Sequence, residues 1–141
     1  MYPKHLSPSV EPLNILVVDD DSDIRTLTRT FLEHEGYNVF SCESADRAVP
    51  IVRRSRIDLL ITDYSMPNRT GMDLAREAKS MRPSLPVLIV SGAILDPAQL
   101  ELMRIRNWNF LPKPFSLPKL LSEVHRILDI SHSPLSATLS A

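Results

Sequence analysis

Four polar groups each stand where an apolar run stops. Ile15-Leu16-Val17-Val18 ends in Asp19-Asp20-Asp21, and Asp58-Leu59-Leu60-Ile61-Thr62 ends in Asp63, followed by Tyr64-Ser65-Met66-Pro67. Pro86-Val87-Leu88-Ile89-Val90 ends in Ser91-Gly92, and the shorter Asn109-Phe110-Leu111 leads into Pro112-Lys113-Pro114. If these runs are strands of one parallel sheet, their ends open onto a single rim, the place where such sheets hold ligands. Carboxylates, a hydroxyl and an ammonium on one rim suit a divalent cation and a phosphoryl group.

Three converging carboxylates without a cation would repel and raise one another's pKa values. A hard divalent ion relieves this, and magnesium favours a few carboxylates, some waters and a phosphate oxygen. Asp20 and Asp63 are the expected direct ligands of Mg2+, Asp19 acts through a water, and the backbone carbonyl of Ser65 supplies a further oxygen. The Asp63 carboxylate can also attack phosphorus to give an acyl phosphate, a transfer that is mostly positioning and charge stabilisation. Lys113 offers a point charge to the developing oxyanion. Ser91 offers a hydroxyl to another phosphoryl oxygen, and the backbone amides after Asp63 and Ser91 complete the cradle. Each piece alone is weak. Asp21 and Ser22 read as helix caps, a lone Asp63 is more often a turn residue, a lone Lys113 a solvated charge, and Ser-Gly a common turn. The specificity lies in the ordered set.

The elements that must position these groups follow from periodicity and caps. Asn14 to Asp19 is branched and apolar without alternation, as in a strand buried on both faces. Ser22 or Asp21 caps the next helix, with Ile24, Leu27, Phe31 and Leu32 on its inner face and Gly36 as its left-handed stop. Tyr37 to Cys42 is a second strand. Ser44 caps a helix with Ala45, Ala48, Val49 and Val52 inward; Pro50 removes one of its hydrogen bonds and predicts a kink or early end. Asp58 to Thr62 is the third strand, and Thr70 or Arg69 caps a helix with Leu74, Ala75, Ala78 and Met81 inward. Pro86 to Val90 is the fourth strand. Asp96-Pro97 starts a helix running to about Ile105, Asn109 to Leu111 is a short fifth strand, and Ser116 caps a last helix carrying Leu117, Leu120, Leu121, Val124, Ile127 and Leu128. Strands alternating with helices predict an α/β fold with a doubly wound parallel sheet, order 2-1-3-4-5, in three layers.

Bulk properties narrow the function. The 141 residues make one domain, long enough for a core without metals or disulfides. A net charge of −1 argues against a nucleic-acid-binding surface and so against direct DNA binding. Cys42 is the sole cysteine and has no partner in the chain, which fits a reducing, cytoplasmic setting; it reads as a small strand residue. No apolar stretch approaches the roughly 20 residues of a membrane span. Residues 1–12 read as a flexible leader, 13–130 as the domain, and 131–141, rich in Ser, Ala and Thr, as a disordered tail. The three glycines, Gly36, Gly71 and Gly92, make no phosphate-cradling loop for a nucleotide. His5, His34, His125 and His132 lack the surroundings of a phosphohistidine donor, and Arg53, Arg54 and Arg56 read as a solvated face.

The segments "ILVVDDD", "DLLITDYSMP", "TGMDL", "VLIVSGA" and "FLPKPF" resemble, in that order, the receiver domain of bacterial two-component response regulators of the stand-alone chemotaxis type, over residues 13 to 129. The resemblance implies a flavodoxin-like fold, with Asp63 as phosphoacceptor and Asp19 and Asp20 as metal-site acids. It further implies that Ser91 follows the phosphoryl group, that Lys113 is the site lysine and that Lys113-Pro114 is cis. It implies phosphotransfer from a sensor histidine kinase or phosphotransfer protein, and a partner-binding face on the fourth helix, fifth strand and last helix. Such a protein catalyses only its own phosphotransfer and dephosphorylation and is not an enzyme in the usual sense. Phe110 stands at the family's switch aromatic, often tyrosine, and has no hydroxyl. The loop before it carries Asn107 in place of the usual glycine, and Trp108 is exposed beside the last helix or half-buried on its own turn.

Rival readings are few. Asp19 and Asp21 have the spacing of a haloacid-dehalogenase-like aspartyl phosphatase, with Asp19 as nucleophile, but only Glu123 and Asp129 follow Lys113 as late acids. A phosphorylation-independent interaction module would not need all five site residues. "FLPKPFSLPKLL" is also similar to receivers of hybrid kinases, so an excised domain is an alternative; Met1 and the ragged tail favour a small complete protein. A homodimer is one open option for the oligomeric state.

Overall fold

Branched apolar runs become the strands of a five-stranded parallel sheet in the computed structural model, which describes residues 11–132. The elements in chain order are β1 (Asn14–Val18), α1 (Ser22–His34), β2 (Asn38–Cys42), α2 (Ala45–Arg54), β3 (Leu59–Asp63), α3 (Gly71–Met81), β4 (Val87–Ser91), α4 (Pro97–Arg106), β5 (Asn109–Pro112) and α5 (Leu117–His132). The sheet order is β2-β1-β3-β4-β5, as the alternating pattern predicts. The register pairs Val18 with Thr62, Asp63 with Val90 and Ser91 with Pro112, which brings the four strand ends level.

Alternation along the strands divides the core in two. Ile15, Val17, Leu59, Ile61, Leu88, Val90 and Leu111 pack with Leu32 of α1 and with Leu120, Val124, Ile127 and Leu128 of α5. Leu16, Val18, Leu60, Val87 and Ile89 pack with residues of α2 and α3 and with Met103 of α4. Leu16, Leu60 and Leu88 have no exposure at all, and burying each such side chain stabilises the fold by roughly 2 kcal/mol.

The helix starts resolve as caps of the expected types. Asp21, not Ser22, caps α1, accepting from the amides of Asp23 and Ile24. Thr70, not Arg69, caps α3 in a reciprocal box with Asp73. Asp96 caps α4 in a second such box with Gln99, with Pro97 in the first turn. Gly36 takes a positive φ of 101° after α1 and Asn107 one of 59° after α4, so asparagine does the work expected of glycine there.

Four expectations need correction. Leu27 is not inward: it is 56% exposed, and Thr28 takes its place against the sheet. The inner stripe of α1 runs through Thr28 and Leu32, so Leu27 lies at its margin. Trp108 is neither exposed nor half-buried: it is 6% exposed and belongs to the α2–α3–α4 side of the core. Pro50 does not end α2, which runs on to Arg54 with Ser44 as its cap. The last helix runs to His132, two residues into the stretch read as tail. Residues 1–10 and 133–141, the rest of the leader and tail readings, lie outside the described residues.

Candidate phosphoacceptor site

The rim groups come together. One carboxylate oxygen each from Asp19, Asp20 and Asp63 lies within 4.8 Å of the others. Lys113 Nζ lies 3.4 Å from Asp19 Oδ2 and 3.5 Å from Asp63 Oδ1, so one ammonium bridges acids from the ends of β1 and β3. Lys113-Pro114 is a cis peptide, as the resemblance implies. The Lys113 amide donates to the Ser91 carbonyl at 2.7 Å, which fixes the β5 end against β4.

Each acid is held differently. Asp19 is buried, and both its oxygens are committed: Oδ1 accepts from the Asp21 amide at 2.9 Å and Oδ2 faces Lys113. Its main chain is tied as well, with its amide donating to the Cys42 carbonyl at 3.2 Å and its carbonyl accepting from Arg25 Nη1 at 2.7 Å. Asp20 is exposed, and among the described residues no hydrogen bond or ion pair engages its carboxylate. Asp63 is half-buried, and its pKa is raised: burial is the main cause, Lys113 opposes it, and the neighbouring Asp19 and Asp20 add to it. Three acids against one ammonium leave excess negative charge, and a small divalent cation fits that donor set. Oxygen-only donors exclude a soft-metal preference.

Ser91 and Phe110 belong to the other side of the sheet. Ser91 is buried, and its Oγ accepts from the Ala93 amide at 3.0 Å and donates to the Ala93 carbonyl at 3.4 Å. The hydroxyl is thus engaged by the turn that Ser91 opens. Phe110 pairs in register with Ile89 and packs into the α2–α3–α4 side of the core. The amide directly after Asp63 is not free for a cradle, since Tyr64 N donates to the Val90 carbonyl at 2.7 Å. Ser65 lies in the β3–α3 loop, two residues past Asp63.

Two hollows adjoin Lys113. A small one of about 20 Å³ is lined by Asp19, Asp63, Lys113, Thr28 and Phe115, enough for one water and not for an organic substrate. A surface groove of about 450 Å³ runs beside Lys113, lined by Ile24, Leu27, Pro114, Phe115 and Leu117. The helical pattern alone hid this groove because it assigned Leu27 to the core.

The family profile of the response regulator receiver domain matches residues 15–125. The chain belongs to that family. It is a receiver domain of two-component signalling, a class of signalling modules that work with sensor kinases. A DNA-binding transcriptional regulator NtrC from a Bradyrhizobium strain is 36% identical over 115 residues, covering 82% of this chain and 24% of its own. A response regulator MprA from a Mycobacterium strain is 30% identical over 117 residues, covering 83% and 51%. The chain therefore spans between about a quarter and a half of the length of these relatives. Among solved structures, the CheY-like receiver domain protein of Methanospirillum hungatei superimposes with a TM-score of 0.80 at 26% identity, over 85% of this chain and 96% of that one.

The receiver assignment disfavours the phosphatase reading, and the late acids agree. Glu123 is paired with Arg126 at 2.8 Å and Lys119 at 3.8 Å along α5, and Asp129 is exposed on the same helix. In this receiver Cys42 has its thiol pKa pushed up to about 11, mainly by burial, which leaves little thiolate at neutral pH. Among the described residues no helix is long and apolar enough to cross a membrane.

Proposed function

We propose that Asp63 accepts a phosphoryl group from the phosphohistidine of a sensor kinase or phosphotransfer protein. The observation that carries this is the Lys113 ammonium bridging Asp19 and Asp63, with the uncommitted Asp20 carboxylate beside them. An Asp63 oxygen forms the new bond to phosphorus as the bond to the imidazole nitrogen breaks, and the imidazole leaves with the electron pair of that bond. Lys113 faces the charge that develops on the phosphoryl oxygens. Asp20 and Asp63 would hold Mg2+ directly, Asp19 through a water because its own oxygens are committed, and the Ser65 carbonyl would add a donor. The ion would offset the excess carboxylate charge and the charge of the incoming phosphoryl group.

Phosphorylation changes which contacts are favourable for Ser91. Its hydroxyl leaves Ala93 for a phosphoryl oxygen, and Phe110, on the same side of the sheet, follows into the space that opens. The altered surface of α4, β5 and α5 then selects a downstream protein target. Exposed Leu100 and Ile105 on α4 support that face as the output surface. The groove between α1 and the segment 113–117 supports a seat for the donor protein, since it is apolar and touches Lys113. The unit that carries this runs from residue 13 through the end of α5 at His132, and the chain acts chemically only on itself.

The test is the intact mass of the protein after acetyl phosphate and magnesium chloride. One added phosphoryl group is expected in the wild type, and none in Asp63→Ala or after chelation of the metal. Undiminished labelling of Asp63→Ala contradicts the assignment.

A further inference from the structure

The polar coupling between the phosphoacceptor and α4 runs through Tyr64 and Gln99. Tyr64 follows Asp63 directly and is clamped by its main chain: its amide donates to the Val90 carbonyl at 2.7 Å and its carbonyl accepts from Gly71 at 2.8 Å. Its hydroxyl accepts a hydrogen bond from Gln99 Nε2 at 2.6 Å. The other end of the same amide serves the cap of α4, with Gln99 Oε1 accepting from the Asp96 amide at 2.9 Å while Gln99 N donates to Asp96 Oδ1 at 2.8 Å. One side chain thus ties the first turn of α4 to a fixed residue beside the site.

The segment between Ser91 and Asp96 is therefore closed at both ends. At the start, the Ala93 amide holds the Ser91 hydroxyl; at the finish, Gln99 holds Asp96 and Tyr64 together. Between them residues 92–94 are exposed, Ile94 to 99%, while Leu95 is buried against the α2–α3–α4 side of the core. A turn of Ser91 toward Asp63 breaks the first clasp and pulls on the chain that leads, past the buried Leu95, into the second. Phe110 carries no hydroxyl and adds no polar restraint of its own.

We infer that Tyr64 and Gln99 are positioning residues that hold the β4–α4 connection, and with it Ser91, in the conformation turned away from Asp63. The inference rests on the proposed role of Ser91. Removing the bond raises the population of the phosphorylation-competent conformation, so it speeds phosphorylation rather than slowing it.

The test compares wild type, Tyr64→Phe, Gln99→Leu and Gln99→Glu. Tyr64→Phe keeps the α4 cap and loses only the hydroxyl. Gln99→Glu keeps an oxygen for the Asp96 amide and an acceptor to which the Tyr64 hydroxyl can donate. Two readouts are taken: hydrogen exchange of the amides of residues 92–96 and 98 without phosphodonor, and the rate of phosphorylation by acetyl phosphate at saturating magnesium. Tyr64→Phe is expected to raise both by about fivefold, the factor one net hydrogen bond corresponds to, with magnesium affinity unchanged. Gln99→Glu is expected to stay near wild type and Gln99→Leu to exceed Tyr64→Phe. Unchanged exchange in Tyr64→Phe, or a slower phosphorylation with normal magnesium affinity, overturns the inference. If the wild type takes no label at all, the proposed function fails, and the exchange measurement still decides the tether.

Discussion

Lys113 Nζ stands 3.5 Å from Asp63 Oδ1 and 3.4 Å from Asp19 Oδ2, although the lysine is 94 residues from Asp19 in sequence. The contact exists because β1, β3 and β5 end on the same rim and because Asp19, Asp63 and Lys113 continue the alternation that faces α1 and α5. The Lys113 side chain is 21% exposed and the two acids less, so the pair interactions are screened less than surface ion pairs. An ammonium there offsets part of the acids' charge and leaves the remainder for a cation.

Lys113→Ala should separate metal binding from phosphotransfer. Removing the ammonium takes away a charge that repels a cation, so magnesium affinity measured by calorimetry should hold or rise. The phosphorylation rate should fall by about a hundredfold, the usual cost of losing one preorganised group at a developing oxyanion. A large loss of magnesium affinity would mean instead that Lys113 organises the acids.

Asp63→Asn should stabilise the metal-free protein at neutral pH. Folding raises the Asp63 pKa, chiefly through burial, so the folded state disfavours the ionised carboxylate. That penalty is absent below the ordinary value of 3.8, where the group is protonated in both states. It grows as pH rises through the elevated folded value and is constant above it. Urea unfolding in chelator across the acid-to-neutral range should show the variant's advantage appear with rising pH. Equal stability of the two proteins at neutral pH would contradict this.

Gly71→Ala tests how the backbone beside the site is held. A Cβ at Gly71 would run into the Asp63 carbonyl oxygen and lie 3.1 Å from Tyr64 Cα. Both are main-chain atoms and have no flexible end to yield. The expected loss is about 3 kcal/mol in urea unfolding, with magnesium affinity weakened because Asp63 is displaced. Wild-type stability in the variant would show that α3 can shift without cost.

The rim acids and lysine were legible because strand-end chemistry is a linear property: an unalternating apolar run followed at once by Asp19, Asp63, Ser91 or Lys113 can be read residue by residue. Caps were legible for the same reason, although Asp21 against Ser22 and Thr70 against Arg69 needed the actual dihedral angles. What the sequence hid depends on where whole helices sit. Leu27 fits the apolar period of α1 and still faces a groove, because the segment 113–117 is what flanks it. Trp108 stands in a polar loop and reads as exposed or half-buried, yet it follows the left-handed turn at Asn107 and is buried. There its Nε1 has no hydrogen-bond partner among the described residues. The Tyr64–Gln99 bond spans 35 residues and joins the first turn of α4 to the residue after β3, a pairing that no local pattern announces.

The most direct measurement of the central claim is chemical trapping of the phosphorylated residue. Protein treated with acetyl phosphate and magnesium is reduced with borohydride, which converts an aspartyl phosphate to homoserine, and the product is read by tandem mass spectrometry of its peptides. Homoserine is expected at position 63 and nowhere else, and is expected to be absent when magnesium is chelated. Homoserine at position 19, or phosphorylated protein that yields none at position 63, would contradict it.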